Sequence, residues 1–330
     1  MKTRAYVGIV LFASMVATAD VPKHSATYYE AIKPEVQEAQ RKGALAKIIY
    51  RVVDDEGAPI TNTIVLGTWR NDYPRRTWKE TFVTDTNGVF VAEGKVGGAF
   101  GAFVRKDGYY LSSTGLNFHW RSDVSPVVKN GKWQPYGERR KMIVKRKKDP
   151  VAMSHIHTLS MDAPATNVWI GIDLESFQWT SPYGRGRHDD MLLRFNFEMH
   201  DKYATEWATM DISFTNNPYA GFYVRKRDLY SQFQSTYHAE TNAVFSQTAT
   251  FNAVFFNKYL STLGKDDYMV FRTRTKVDDK GNLVSAYYGK IYGAWEFGTG
   301  IKISDVYFNH TPNDTNLEFD SKNNGEVLPR

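Results

Sequence analysis

The 330-residue chain contains no cysteine. Disulfide bonds, thiol nucleophiles and cysteine-ligated zinc are therefore excluded. Long hydrophobic runs are also missing, because no segment after the N-terminal stretch is long and apolar enough to span a bilayer. The chain also lacks a Gly-rich phosphate loop, a nucleophile elbow, an HExxH zinc motif and a dinucleotide fingerprint. We therefore expect no cofactor, and no motif assigns an enzyme class.

The N-terminus has the pattern of a secretory signal. Lys2 and Arg4 precede a short apolar run over residues 6–16, and Ala17-Thr-Ala19 is a small-residue cleavage site. We predict a signal peptide over residues 1–19 and a mature chain without a membrane span. The protein is then exported to the periplasm or the cell exterior, and export without disulfides favours a bacterial source.

Excess positive charge is confined to one short segment. The formal net charge is +6, and seven of the 42 basic residues lie between Glu138 and Asp149. Nucleic-acid binding needs a broader basic patch or a recognisable fold, so we expect no nucleic-acid partner. Short charge runs of this kind are typical of solvated strand ends or linkers. An anionic surface or polysaccharide is the alternative partner for this segment.

Strand-forming residues dominate the rest of the chain. Aromatic residues make up 15% of it, which together with many Thr and Val favours strands over helices. The exception runs from Ser25 to Lys42, where apolar residues recur at helical spacing. Pro34 is expected to kink or divide this helix, and Gly43 to end it. We predict a helical segment within residues 20–43.

Residues 44–149 alternate short apolar runs with turn signals. The run Ala44–Val53 is apolar and β-branched, and the acidic turn Asp54–Gly57 follows it. A second turn, Asp85-Thr-Asn-Gly88, stands between the runs 81–84 and 89–91, which predicts a hairpin. Short strands separated by turns predict a small β-sandwich for this region.

Three pieces of this region resemble the carboxypeptidase regulatory-like domain: Asp55-Glu-Gly-Ala-Pro-Ile60, Thr84-Asp-Thr-Asn-Gly-Val-Phe90 and Val104-Arg-Lys-Asp-Gly-Tyr109. The resemblance covers residues 44–148 and implies a transthyretin-like sandwich. Asn62 stands where that family often has glycine, and Asn also tolerates left-handed backbone geometry. Family members commonly act as accessory or binding modules, so the resemblance does not imply catalysis.

The dipeptide Asp149-Pro150 predicts the domain boundary. Residues 150–330 again contain many short apolar runs and no internal repeat, which predicts a larger sandwich of jelly-roll type. The predicted fold class is therefore all-β, with two β-sandwich domains. The segments 229–240 and 251–263 remain open between strand and helix.

The loop Trp179–Asp190 concentrates polar side chains between two predicted strands. Its two arginines alternate with glycines, so the loop can hold an anion or a uronic-acid carboxylate through bidentate contacts. Its histidine and acids can instead bind a cation, and its proline and glycines can simply shape a long connection. The candidate ligand-binding residues are Trp179, Tyr183, Arg185, Arg187, His188, Asp189 and Asp190. The pieces Asp173-Leu-Glu175, Trp179–Gly186 and Pro312–Phe319 also resemble uncharacterised secreted bacterial proteins, which implies no chemistry.

A candidate metal pair lies nearby in the sequence. His155 and His157 are two residues apart on a predicted strand, so their side chains point to the same side. This spacing suits two metal ligands, with His188 or Asp189 as a third. A hydrogen-bonded strand face is the alternative interpretation.

Sugar chemistry has candidate residues but no decisive pattern. Sugar cleavage requires two acids in one cleft, and the spacing singles out no pair. Exposed aromatic rings can stack on the apolar faces of sugars, although core packing is the alternative for each. The acidic candidates are Asp173, Glu175, Glu198, Glu206 and Asp211, and the aromatic candidates are Trp69, Tyr73, Trp78, Trp169, Trp179 and Tyr183.

Three hypotheses of function follow from these features. The first is an exported binding or surface-interaction protein without catalysis, with a polysaccharide or cell-envelope component as partner. The second is a polysaccharide-active hydrolase or lyase with its site near residues 179–190. The third is a structural envelope component. A concave pocket with His and carboxylates favours the enzyme, and an aromatic platform favours glycan binding.

Overall fold

Twenty-two strands and one helix form the described part of the computed structural model, which covers residues 33–119, 126–201, 204–254, 264–293 and 295–319. The predicted signal peptide, residues 1–19, lies outside these residues. The chain folds as two units, one that ends at Lys145 and another that begins at Arg146. Both units are built from β-sheets, which confirms the predicted all-β sandwich class.

The first unit contains one helix and nine strands within the described residues. They are α1 Pro34–Lys42, β1 Ala44–Asp54, β2 Ile64–Asn71, β3 Arg76–Val83, β4 Val89–Val96, β5 Ala99–Val104, β6 Ser112–Asn117, β7 Val128–Lys129, β8 Lys132–Trp133 and β9 Glu138–Val144.

Two sheets form the sandwich of the first unit. One has the order β4-β1-β8-β7, with β9 also paired to β1, and the other has the order β3-β2-β5-β6. Residues of β1 alternate between the core and the outside, as the two-residue period of a strand requires. The core between the sheets includes the fully buried side chains of Tyr50, Trp69 and Phe100.

The helix of the first unit begins at Pro34 and buries Val36 and Ala39. Proline fits the first helical position, because the missing N–H would have no partner there. The C-terminal end is Gly43, whose N–H donates to the carbonyl of Ala39. The described helix therefore begins at Pro34, and the predicted helical residues 25–32 lie outside the described residues.

The turn Asp85–Gly88 does not join a hairpin, so that prediction is wrong. β3 pairs with β2, whereas β4 pairs with β1 in the other sheet. The Asp85 carboxylate accepts hydrogen bonds from the N–H groups of Asn87 and Val89. This side-chain capping makes the turn tight, but it does not determine which strands pair, and here the turn leads from one sheet to the other.

The second unit contains thirteen strands within the described residues. They are β10 Met153–Ile156, β11 Leu159–Asp162, β12 Ile170–Asp173, β13 Gln178–Trp179, β14 Met191–Asp201, β15 Ala204–Ser213, β16 Gly221–Lys226, β17 Thr248–Val254, β18 Asp267–Val277, β19 Leu283–Tyr292, β20 Glu296–Phe297, β21 Gly300–Ile303 and β22 Val306–Asn309.

Three sheets surround the core of the second unit. Their strand orders are β13-β12-β14-β15-β17, β10-β22-β19-β18-β16 and β11-β21-β20. Side chains from all three meet in one large apolar cluster, which includes Phe195, Phe271, Ile301 and Phe308. The stretch Asp278-Asp-Lys-Gly-Asn282 is typical of a hairpin turn, and it does join the antiparallel strands β18 and β19.

Several predicted elements of the second unit have different bounds. The predicted strand 155–159 is replaced by β10 and β11, which lie in different sheets. Residues 229–240 contain turns and bends but no helix. Of the segment 251–263, residues 251–254 belong to β17, and the remainder lies outside the described residues.

Residues 146–149 belong to the second unit, ahead of the predicted boundary at Asp149-Pro150. The carboxylate of Glu318 accepts hydrogen bonds from the N–H groups of Lys148 and Asp149, at 2.9 and 2.7 Å. The hydroxyl of Tyr237 donates to the carbonyl of Arg146 at 2.6 Å. These backbone contacts fix the start of the unit to Glu318, near the end of the described residues, and to Tyr237, in the middle of the unit.

A smaller aromatic cluster covers the other face of β18 and β19 and encloses the buried side chain of Lys290. The Lys290 ammonium donates to the carbonyl of Leu317 at 2.7 Å and to the hydroxyl of Ser235 at 3.0 Å. It also lies 4.7 Å from the ring centroids of Phe233 and Tyr307. Hydrogen bonds and cation–π contacts together stabilise this charge in place of water.

Candidate functional site

The loop that follows β13 is anchored by the carboxylate of Asp173, at the end of β12. Asp173 accepts hydrogen bonds from the N–H groups of Glu175 and Ser176, at 3.0 and 3.1 Å, and of Arg187, at 2.8 Å. The first two bonds form the turn into β13, and the third holds the returning limb of the loop. One buried side chain therefore fixes both limbs of the segment 174–187.

A single guanidinium, that of Arg274, binds three carboxylates. Its N–H groups donate to Asp190 at 2.8 and 2.9 Å, to Asp173 at 3.1 Å, and to Glu175. The side chains of Asp190 and Asp173 are 0% and 3% exposed, so these acids depend on Arg274 for charge compensation. The ring of Phe308 lies 4.5 Å from the guanidinium carbon.

The acids around Arg274 have shifted pKa values. Burial alone would raise the pKa of Asp173, but three backbone N–H donors and the charge on Arg274 outweigh it and hold the pKa below its ordinary value. Burial also opposes the shift at Glu175, where hydrogen bonds from Arg274 and His310 lower the pKa. Burial raises the pKa of Asp190 against the influence of Arg274. Asp173 and Glu175 are therefore poor proton donors near neutral pH.

Close backbone approach holds the base of the loop against β12. A Cβ on Gly171 would collide with the carboxylate of Asp189 and the hydroxyl of Thr180, which hydrogen-bond to each other. A Cβ on Gly184 would collide with the carbonyl of Trp179, and one on Gly186 would lie too close to the Cβ of Asp173 and the carbonyl oxygen of Gln178. Much of the glycine content of this loop is therefore explained by packing.

The seven candidate residues of the loop have different surroundings. Trp179 is 8% exposed and donates from its indole N–H to the carbonyl of Asp162 at 3.0 Å. Asp190 is buried against Arg274, and Asp189 accepts from Thr180. Tyr183 is 41% exposed. The remaining three candidates, Arg185, Arg187 and His188, have exposed side chains.

These three residues line a cleft of about 1020 Å³ in the second unit. Arg185 and Arg187 form no side-chain hydrogen bond or salt bridge with any other residue that the structure describes. Hydroxyl and amide groups of Ser160, Ser176 and Gln178 accompany them. Others that line the cleft are Ile156, Thr158, Leu159, Met161, Phe177, Trp179 and Gly184, besides the acids Asp173 and Glu175.

Ser154, His310 and Glu175 form a hydrogen-bonded chain at the same cleft. The Ser154 hydroxyl lies 3.2 Å from His310 Nε2, and His310 Nδ1 lies 3.1 Å from Glu175 Oε1. This is the spatial order of a nucleophile, a base and an orienting acid. Ser154 is 0% exposed, however, so its hydroxyl offers no surface that a substrate can approach. The chain positions the half-exposed His310 at the cleft.

His155 and His157 both contact Asp305 and do not line the cleft. His155 Nε2 and His157 Nδ1 lie 3.0 and 2.9 Å from the same Asp305 oxygen. Both rings therefore face Asp305, although β10 ends at Ile156 and only His155 lies within the strand. No group of three or more His, Asp or Glu side chains suited to a metal ion occurs among the described residues, and neither His188 nor Asp189 completes the predicted set.

The other candidate acids and aromatic residues are dispersed. Glu198 and Asp211 lie on the outer face of the sheet that contains β14 and β15, together with Trp169, while the side chain of Glu206 lies outside the described ones. In the first unit, Trp69 is fully buried and stacks on Trp78 across the β2–β3 hairpin.

Arg274 and His310 were not among the site residues predicted from local patterns. Arg274 lies in β18 at an irregularity between Thr273 and Lys276, and its φ is +47°. His310 follows β22. Arg274 is 101 residues from Asp173 in the chain and His310 is 135 residues from Glu175, so only the strand order brings these pairs together. The members of this charged cluster are common residue types at scattered positions, so no short stretch of the sequence indicates that they come together.

No family model matches the chain, and no curated protein matches it. Among solved structures, it is similar to a 3-chlorocatechol 1,2-dioxygenase from Rhodococcus opacus 1CP, at 16% identity and a TM-score of 0.25, over 32% of this chain and 61% of the dioxygenase. A streptococcal ancillary pilin shares 10% identity at a TM-score of 0.21, over 87% of this chain and 63% of the pilin.

A third structure is a Bacteroides uniformis protein to which carbohydrate binding has been ascribed. It shares 7% identity at a TM-score of 0.19, over 79% of this chain and 97% of that protein. Within the described residues, no helix has the length and apolar character needed to cross a membrane.

Proposed function

We propose that this protein is an exported binding protein without catalysis, whose second unit holds an acidic glycan in the cleft beside the loop 179–190. The observation that carries the proposal is the pair Arg185 and Arg187. Both are exposed at the cleft, and neither has a partner for its side chain among the described residues. Guanidinium groups bind carboxylates in a bidentate manner, which suits a uronic acid.

The rigidity of the loop supports this proposal. The backbone of Arg187 is fixed by Asp173, and Gly186 donates to the carbonyl of Trp179 at 2.9 Å. A preorganised site loses less conformational entropy when a ligand binds. Hydroxyl and amide groups at Ser160 and Gln178 provide partners for sugar hydroxyls along the same cleft.

The absence of catalysis is supported by the pKa values and the ion pairs of the acids in the cleft. The pKa values of Asp173 and Glu175 are lowered, whereas a general acid for glycoside cleavage needs a raised pKa. Both carboxylates are also bound to Arg274. Incubation with polygalacturonate should therefore release no new reducing ends, and sustained turnover would favour the enzyme hypothesis instead.

The first unit fits the role of an accessory module. The resemblance of residues 44–148 to the carboxypeptidase regulatory-like domain supports this role in our proposal. The secretory pattern of residues 1–19 supports export. A direct test of export is the N-terminal sequence of the protein recovered from cells, which should begin near Asp20.

The binding test compares polygalacturonate with its methyl-esterified form, because esterification removes the charge and keeps the hydroxyl groups. The chain from Asp20 onward should bind the acid form and lose that binding as ionic strength rises. An Arg185→Gln/Arg187→Gln variant should bind it about tenfold or more weakly, because each arginine contributes charge-assisted hydrogen bonds.

Lys276→Gln is the matched control, because Lys276 is exposed on β18 outside the cleft. It removes a positive charge and should leave the affinity unchanged. Equal binding of the acid and the ester, or an unchanged affinity in the double arginine variant, would overturn the proposed function.

A further inference from the structure

The outer face of the sheet formed by β12, β14, β15 and β17 carries a second set of polar and aromatic side chains. In β14, Leu193 and Phe195 are buried in the core, so Arg194 and Asn196 point to the opposite side of the sheet. In β15, Ala208 and Met210 face the core in the same way. We refer to the residues on the opposite side, Trp169, Arg194, Asn196, Glu198, Trp207, Thr209, Asp211, Thr250 and Asn252, as the outer face.

The strand register arranges the outer face in three rows. Asp211 lies between Arg194 and Thr250, and it binds both side chains. In the next row, Thr209 lies between Asn196 and Asn252. The side chains of this middle row form no hydrogen bond with any other residue that the structure describes, so their amide and hydroxyl groups are available to a ligand.

The last row pairs Glu198 with Trp207, whose indole N–H donates to the Glu198 carboxylate at 2.5 Å. At the other end, Trp169 is 42% exposed, and the guanidinium carbon of Arg194 lies 4.7 Å from its ring centroid. A strand rises about 3.3 Å per residue, so Arg194 and Glu198 are separated by roughly 13 Å. The two indoles therefore flank the middle row along the strand direction.

The charge on the outer face distinguishes it from the cleft. Arg194 is compensated by Asp211 at 2.8 Å, and Glu198 is the remaining charged side chain. Such a surface offers a polyanion no attraction. Thr180 and Asp189 of the loop 179–190 lie against Gly171 of β12, next to the edge strand β13, and so border the outer face on that side. None of the outer-face residues lines the cleft.

We propose that the outer face is a second binding site, and that its ligand is a neutral oligosaccharide. Indole rings stack on the apolar faces of sugar rings, and free amide and hydroxyl groups exchange hydrogen bonds with sugar hydroxyls. The middle row provides these groups, and the tryptophans provide aromatic surface on either side of it. This site lies outside the proposed acidic-glycan cleft and does not depend on it.

The test uses isothermal titration of the chain with cellohexaose, xylohexaose, mannohexaose, chitohexaose and laminarihexaose. At least one of these neutral hexasaccharides should bind. For that sugar, Trp169→Ala should raise the Kd by about tenfold. An Asn196→Ala/Thr209→Ala/Asn252→Ala variant should also weaken it, and because it keeps both tryptophans it separates loss of hydrogen bonds from loss of stacking.

Two controls separate this site from the cleft. The Arg185→Gln/Arg187→Gln variant should keep its affinity for the neutral hexasaccharide, and Trp169→Ala should keep its affinity for polygalacturonate. An unchanged unfolding temperature for each variant establishes that folding is intact. The proposal is overturned if none of the five sugars binds, or if the outer-face variants bind as tightly as the parent. It is also overturned if light scattering shows a dimer that Trp169→Ala dissociates.

Discussion

Replacing Arg274 with methionine tests the charge cluster that holds the base of the loop 179–190. The substitution removes the guanidinium and keeps an unbranched side chain of similar length. Arg274 has φ +47°, which glycine adopts more readily than other residues. A change to glycine would therefore also relieve backbone strain, and the effect of losing the guanidinium could not be measured alone. Methionine leaves that backbone cost unchanged.

The expected loss follows from the burial of the partners. Arg274 is 14% exposed, and the side chains of Asp173 and Asp190 are almost fully buried. Removing one partner of a buried ion pair costs about 3–5 kcal/mol. Glu175 is 39% exposed, so its share is small. For a domain of roughly 150–250 residues, this loss lowers the unfolding temperature of the second unit by about 6–20 °C.

The assay is urea unfolding monitored by hydrogen exchange, which reports on each unit separately. Exchange in the strand Ile170–Asp173 should accelerate, whereas exchange in Ala44–Asp54 of the first unit provides an internal control. Arg225→Met is the matched variant, because Arg225 and its partner Glu240 are 42% and 40% exposed. Its cost should stay at about 1 kcal/mol or less.

The destabilisation caused by Arg274→Met should depend on pH. Without Arg274, the buried carboxylates have raised pKa values and become neutral as the pH falls. Neutralisation removes the cost of burying an unpaired charge, so the variant is less destabilised at low pH. In the parent, Asp173 and Glu175 have lowered pKa values, so their stabilisation is present above about pH 4 and is lost as the pH falls further. The difference in unfolding free energy should therefore shrink from pH 7 to pH 4. If Arg274→Met lowers the free energy of unfolding by less than about 1 kcal/mol, or by an amount that is independent of pH, Arg274 does not stabilise the buried carboxylates as argued.

Three further predictions concern single residues. Gly171→Ala should destabilise the second unit by about 1–3 kcal/mol, because the new methyl group collides with the loop. Gly115→Ala, whose methyl group would make only an ordinary contact 3.7 Å from the carbonyl oxygen of Phe100, should show no such steric loss in the same thermal assay. Lys290→Met should cost about 1–3 kcal/mol and speed hydrogen exchange near Leu317, whose carbonyl loses its donor; unchanged exchange there would contradict the role of Lys290. Asp173→Asn should destabilise the protein at pH 7 but bring its urea midpoint closer to that of the parent near pH 2–3, and a constant difference would contradict the lowered pKa.

The class of fold could be predicted from local patterns. Alternating apolar residues such as Ala46, Ile48 and Tyr50 in β1 report directly which face is buried. The turn at Asp278–Asn282 also joins the strands that its sequence indicates. These features depend on neighbours within a few residues, which a single sequence contains.

Strand partners were harder to predict, as the turn Asp85–Gly88 illustrates. The same residues form a tight turn whether the next strand pairs with the previous one or enters the opposite sheet. The choice depends on packing between distant strands, such as β4 against β1. The same limit explains why Trp179, exposed in the loop hypothesis, belongs to the core, with its indole bonded to Asp162.

The site itself was only partly predictable. Arg185, Arg187 and His188 could be chosen by residue type, because exposed charges in a turn-rich loop need no distant partner. The roles of Asp173 and Asp190 depend on Arg274, which the topology alone brings to them.

The bonds from Arg274 to the buried carboxylates affect which positions of this protein can change over evolutionary time. The anchoring atoms belong to Asp173, Asp190 and Gly171, at or beside the strands, whereas the exposed residues at the tip of the loop contribute little to holding it. Under the proposed function, substitutions at positions such as Arg185 would then alter ligand binding without unfolding the domain. The second unit is in this respect a scaffold with an exchangeable loop, suited to diversification by mutation or by library selection.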